Sequence, residues 1–101
     1  LNRAAADVLE ERRRQIEAEG WTPEHDAAHA PGSLSDAAAC YALAFDNQPL
    51  PASWPWEVNW WKPKDRRRNL VRAAALLLAE IELLDRAEQA SRHVAAAPWL
   101  E

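Results

Sequence analysis

Methionine is absent from this chain of 101 residues, glycine occurs twice and cysteine once. Each shortage excludes something. With two glycines the backbone has few places where a left-handed turn is free, so rigid, well-specified elements are expected. A single cysteine rules out an intrachain disulfide and is compatible with a reducing compartment. Cys40 sits among alanines, where a buried inert thiol is expected rather than a nucleophile. No apolar run approaches the ~20 residues of a membrane span, and no signal-peptide pattern is visible. Positive charge is not in excess: 12 lysines and arginines stand against 16 acidic residues, for a net charge of −4. That argues against general nucleic-acid binding, which needs a basic face. Phenylalanine and tyrosine occur once each, yet tryptophan occurs six times.

The length allows one domain, residues 1–101, with a modest core that a partner subunit would help to complete. Helical spacing is visible in three stretches and a strand pattern in none. The first helix is expected from about Arg3 to Glu19, with Ala5, Leu9, Arg12 and Ile16 on its inner face and Gly20 ending it. Thr22-Pro23 restarts a short helical turn carrying Glu24, His25, Asp26 and His29, broken by Pro31-Gly32. A second helix is expected from Ser33 to about Phe45. Its Ala37-Ala-Ala-Cys-Tyr-Ala42 stretch is small enough for another helix to approach closely. A third long helix follows the N-cap candidate Asp65 and continues to about Arg92. Leu70, Ala74, Leu77, Ile81 and Leu84 repeat along it with heptad spacing, widened by Val71 and Leu78, and predict its buried stripe. The fold class is therefore all-α: a small bundle of three main helices, with a Pro/Trp-rich connection over residues 46–64.

That connection holds Trp54, Trp56, Trp60 and Trp61. Tryptophan offers a large rigid π-face and one N–H donor, suited to a buried anchor or a stacking platform. The four indoles therefore either plug the gap between the helices or form the wall of a site, and at least two of them are expected in the core. Immediately after them come Lys62, Lys64, Arg66, Arg67 and Arg68. Cations at a helix start oppose its macrodipole, an arrangement that makes sense if an anion docks there. Aromatic faces beside guanidinium groups suit a nucleotide, with stacking for the base and charge for the phosphate. The competing reading is a solvated patch paired with acids of the first helix. If the arginines serve an anion, removing Arg67 and Arg68 should leave the fold intact or slightly more stable.

Two further clusters carry candidate chemistry. His25 and His29 stand at i and i+4, a spacing that can hold a divalent metal if Glu24, Asp26, Glu80 or Asp85 supplies a third ligand. Against this, acidic groups favour a helix N-terminus for electrostatic reasons alone. The third helix carries Glu80, Glu82 and Asp85, of which Glu82-Leu-Leu-Asp85 faintly resembles an acidic motif of the all-α nucleotide pyrophosphatases, which grip phosphates through magnesium. The paired motif such enzymes carry on a preceding helix is missing. Glu80 borders the expected apolar stripe and must find a partner. No Gly-rich phosphate loop or Ser–His arrangement is present, so no catalytic residue and no cofactor is assigned.

Several blocks together resemble a family of small proteins from tailed phages and prophages. They are Glu11-Arg-Arg-Arg-Gln-Ile-Glu-Ala-Glu-Gly-Trp-Thr-Pro-Glu-His-Asp26, Ala37-Ala-Ala-Cys-Tyr-Ala42, Trp54-Pro-Trp56, Trp61-Lys-Pro63, Arg67-Arg-Asn-Leu-Val-Arg72 and Leu78-Ala-Glu-Ile-Glu-Leu-Leu-Asp-Arg86. The resemblance covers about residues 10 to 86. It implies an accessory protein acting in the cytoplasm of an infected or lysogenic bacterium, and no particular activity. This chain has Ala27 where the family pattern often carries an acidic residue, which counts against a metal site. The leading expectation is a non-enzymatic binder of a small anionic, nucleotide-type ligand that sequesters a host immune signal. A metal-dependent nucleotide hydrolase and a protein-binding inhibitor of a host factor are the alternatives. Self-association, most simply a dimer, is expected in each case.

Overall fold

The computed structural model describes residues 1–21, 32–45 and 48–96, with side chains to residue 92. Helix α1 spans Arg3–Glu17, α2 spans Ser33–Leu43 and α3 spans Arg66–Ala96, with a single 3-10 turn at Val58–Trp60 in the connection. No strand occurs among the described residues, and no helix there is long and apolar enough to cross a membrane. The all-α reading holds, with the long C-terminal helix and a short helical turn inside the Pro/Trp-rich segment.

Local chemistry explains the boundaries. Asn2 caps α1 by accepting from the Ala5 N–H at 2.8 Å, satisfying one of the donors a helix start leaves free. Gly20, at φ +73°, turns the chain back after α1, and the Trp21 N–H then donates to the Gln15 carbonyl at 2.9 Å. Asp65 caps α3 through its carboxylate, which accepts from the Arg68 N–H at 2.9 Å. The N-cap of α2 is Gly32, at φ +83°, with Ser33 as the first helical residue.

Helix α3 is the spine. Helix α2 lies along it in the opposite direction: Ala44 reaches Asn69, Tyr41 reaches Arg72 and Ser35 reaches Glu80. Helix α1 runs alongside in the same direction, with Asp7 at Arg67, Glu11 at Arg72 and Arg12 at Glu82. The core between α2, α3 and the connection contains Leu34, Ala37, Ala38, Cys40, Tyr41, Trp54, Ala73, Leu76 and Ala79, joined by Trp21. The small face of α2 does allow the close approach expected of it, since Ala37 and Ala38 share this core with Ala73 and Ala79.

Two faces differ from the sequence reading. On α3 the residues turned inward include Asn69, Arg72, Ala73, Leu76 and Ala79. Of the stripe predicted to be buried, Val71 is buried and Ala74 and Leu78 are half-buried, but the large side chains along its centre are exposed: Leu70 by 43%, Leu77 by 45%, Ile81 by 53% and Leu84 by 61%. The physical reason is that α2 presents alanines, and alanines on α3 let the two backbones close up, while tryptophans fill the remaining volume. On α1 the inner face holds Glu11, Arg12 and Gln15. Of the predicted set Ala5, Leu9, Arg12 and Ile16, Arg12 is buried, Ala5 and Ile16 are half-buried, and Leu9 is exposed. Beyond Leu83 every described α3 side chain is exposed except Arg86, which is half-buried.

Candidate functional site

The aromatic segment is wrapped into the core. Trp54 is buried, while Trp56, Trp60 and Trp61 are half-buried and packed against the same cluster. The rings meet one another edge to face, the arrangement their quadrupoles favour. Trp54 lies 5.5 Å from Trp56 and 5.0 Å from Trp61 between centroids. Trp21 adds contacts to Trp56 at 5.3 Å and Trp60 at 5.8 Å. Polar tips are satisfied locally: the Trp54 indole donates to the Glu57 carbonyl at 3.0 Å and the Trp61 indole to the Gln48 carbonyl at 3.4 Å. Tyr41 pins the segment from α2. Its hydroxyl donates to the Trp60 carbonyl at 3.2 Å and accepts from the Lys62 N–H at 3.0 Å.

The basic run opens from this aromatic mass, and its members have different surroundings. The Lys62 ammonium stands 5.4 Å from the Trp60 ring centroid. The Lys64 backbone is clasped by buried Asn69, which accepts from its N–H at 2.7 Å and donates to its carbonyl at 3.0 Å. Arg66 lies over the Phe45 ring at 5.0 Å and donates to the backbone carbonyls of Ala42 and Ala44. Arg67 pairs with Asp7 at 2.8 Å and Arg68 with Glu11. Among the described residues no carboxylate pairs with Lys62, Lys64 or Arg66.

Glu11 is the electrostatic centre of the α1–α3 contact. Its side chain has no exposure to solvent. Arg14 grips it with two hydrogen bonds of 2.8 and 2.9 Å, Arg68 reaches it from α3, and Arg72 stands 3.6 Å away. Gln15 donates to it at 3.2 Å. Burial pushes the Glu11 carboxyl up, but the Arg14 hydrogen bonds and the charges of Arg14, Arg68 and Arg72 outweigh that and hold it below its ordinary value. The same carboxylate, with help from Glu19, raises the Arg14 guanidinium above its usual range. Arg72 also donates to the Lys62 carbonyl at 2.6 Å and lies over the Tyr41 ring at 5.3 Å. Arg68 and Arg67 are therefore ties between helices. The expectation that their removal leaves the fold intact or firmer is reversed, because each neutralises a carboxylate of α1.

Of the metal candidates, His25, Asp26 and His29 lie outside the described residues. Glu80 is half-buried and stands 3.4 Å from the Ser35 hydroxyl, which also reaches the Gly32 carbonyl at 2.9 Å. Glu82 is taken by Arg12 at 2.9 Å, and Asp85 is exposed. No group of three His, Cys, Asp or Glu side chains among the described residues is arranged to hold a metal. A shallow cleft of about 230 Å³ lies at the start of α3, lined by Ala4, Val8, Arg67, Leu70 and Val71.

Sequence reasoning did not assign roles to Glu11, Gln15, Asn69 and Arg72, the polar side chains that organise the basic end. Their signal was present but weak: Glu11 and Arg14 stand three residues apart on one helix, a common pairing. Nothing in the pattern showed that this pair would be buried. Comparison with protein-family models, with curated proteins and with solved structures finds no match.

Proposed function

We propose that the chain is a non-enzymatic binder of a small anionic, nucleotide-type ligand, held at the basic end of α3. One observation carries this reading: Lys62, Lys64 and Arg66 have no carboxylate partner among the described residues, and two of them lie against aromatic rings, Trp60 and Phe45. The segment Lys62–Arg68 holds two lysines, three arginines and one aspartate, hence +4, in a chain whose net charge is −4. Such a concentration attracts phosphate groups, and the exposed parts of Trp60 and Phe45 offer ring surface beside the charge. Asp65 already caps α3, so side chains rather than helix N–H groups would hold the anion. The resemblance to tailed-phage and prophage proteins supplies the setting: sequestration of a host nucleotide signal in the bacterial cytoplasm, which needs affinity and abundance but no turnover.

The hydrolase alternative draws less support, because Glu82 is occupied by Arg12. A protein-binding role is favoured by one observation, the exposed aliphatic row of α3. The test is to incubate the protein with a panel of cyclic and dinucleotide phosphates, with and without divalent metal, wash, heat-denature and identify what is released. Recovery of an intact nucleotide supports sequestration. An altered nucleotide favours the hydrolase, and no retained nucleotide favours the protein-binding role.

A further inference from the structure

One phenolic hydroxyl joins an exposed cation to an aromatic ring. Tyr41 is 1% exposed. Its hydroxyl bridges residues 60 and 62, donating to the Trp60 carbonyl at 3.2 Å and accepting from the Lys62 N–H at 3.0 Å. Arg72 closes the group from α3. One of its Nη atoms donates to the Lys62 carbonyl at 2.6 Å and stands 3.5 Å from the hydroxyl. The backbone of Lys62 is thus gripped at both its N–H and its carbonyl by buried side chains. Its side chain is exposed, with the ammonium 5.4 Å from the Trp60 centroid.

Both grips are themselves held. The Tyr41 ring lies 5.6 Å from Trp54 and 4.8 Å from Trp61 between centroids. Arg72 stands 3.6 Å from the enclosed Glu11 carboxylate. The ring contacts do not need the hydroxyl, since phenylalanine presents the same face and edge. What the hydroxyl adds is the hold on residues 60 and 62.

We infer that the Tyr41 hydroxyl is the positioning group of the anion site. It fixes Trp60 and Lys62 relative to each other, so that a ring and a cation meet one ligand together. The inference rests on the nucleotide reading above and deepens it. The ligand class that gains is a base joined to phosphate, not a bare phosphate anion. Fixing the segment beforehand removes part of the ordering cost that binding otherwise meets.

Calorimetric titration with adenosine diphosphate and with inorganic pyrophosphate, on the wild type and on Tyr41→Phe, tests it. The two probes carry a diphosphate with and without a nucleoside. The wild type is expected to bind adenosine diphosphate about tenfold more tightly than pyrophosphate, the scale of one base stacked on an aromatic ring. Tyr41→Phe is expected to erase that preference while leaving pyrophosphate binding close to the wild type. General loosening of the fold weakens both probes together, so an unchanged preference in Tyr41→Phe overturns the inference and leaves the nucleotide reading standing. A wild type that binds the two probes equally also overturns it. A wild type that binds neither overturns the nucleotide reading and the inference with it. Should Tyr41→Phe lose its helical circular dichroism, Trp60→Leu carries the test, because it keeps the carbonyl that Tyr41 holds and removes the ring. It is expected to erase the same preference, and a preference that survives it overturns the inference.

Discussion

Replacing Glu11 should be among the most damaging single changes this fold can suffer. The carboxylate is wholly enclosed and touched by Arg14, Arg68 and Arg72. Glu11→Ala leaves buried Arg72 without this carboxylate and takes a partner from the partly exposed Arg14 and Arg68, with Gln15 losing its acceptor as well. Breaking a buried ion pair by removing one partner costs about 3–5 kcal/mol, because the surviving charge is left uncompensated. A domain of this size has a total stability of roughly 5–15 kcal/mol. The variant should therefore retain a much weakened fold or none at physiological temperature. Glu11→Gln keeps the volume and isolates the charge. The Glu11 carboxyl is held below its usual value in the folded state, so its contribution is present above the unfolded carboxyl value and is lost as pH falls through the folded one. The wild type should thus lose stability on acidification from about pH 5 downward, and Glu11→Gln should show a flatter profile. Urea melts at several pH values measure both effects. A loss below about 1 kcal/mol at neutral pH for Glu11→Ala would refute the view that this carboxylate ties α1 to α3.

Four further outcomes are expected. Leu76→Ala should cost about 2–5 kcal/mol in denaturant melts, because Leu76 is fully buried. Leu77→Ala, nearly half-exposed, should cost under about 1 kcal/mol. Asn69→Ala should cost about 1–3 kcal/mol, since it strips the Lys64 backbone of the bonds that join the connection to α3. Arg68→Ala should lower the melting temperature, the sign expected of a tie to Glu11 and the opposite of simple relief of helix-dipole repulsion.

Helix positions were legible because they rest on local chemistry. Asp65 caps α3 by its own side chain and Gly20 supplies the left-handed turn after α1. The inner face of α3 was not legible for a physical reason. Two rows on that helix satisfy helical spacing, one of large aliphatics through Leu70, Leu77, Ile81 and Leu84, and one through Asn69, Arg72, Ala73, Leu76 and Ala79. Side-chain size favours the first. The choice was made by α2, whose alanines reward close approach, and by tryptophans that arrive from far along the chain. The tryptophans themselves could be read as core or as site, and they join the core with part of Trp56, Trp60 and Trp61 left exposed. The basic end was visible as a run of charge. Which cations are consumed, Arg67 and Arg68, and which are left without a carboxylate depended on Asp7 and Glu11 reaching across from α1.

The central claim concerns the cations left over. Titration calorimetry of a nucleotide recovered from the panel, against the wild type and against Lys62→Ala with Lys64→Ala and Arg66→Ala, tests it most directly. The account predicts measurable, salt-sensitive binding to the wild type. It predicts loss of that binding in the triple variant, checked by circular dichroism to be folded, since Arg66→Ala also removes the bonds to the Ala42 and Ala44 carbonyls. Binding that persists undiminished in the triple variant, or a wild type that binds no nucleotide at all, would contradict it.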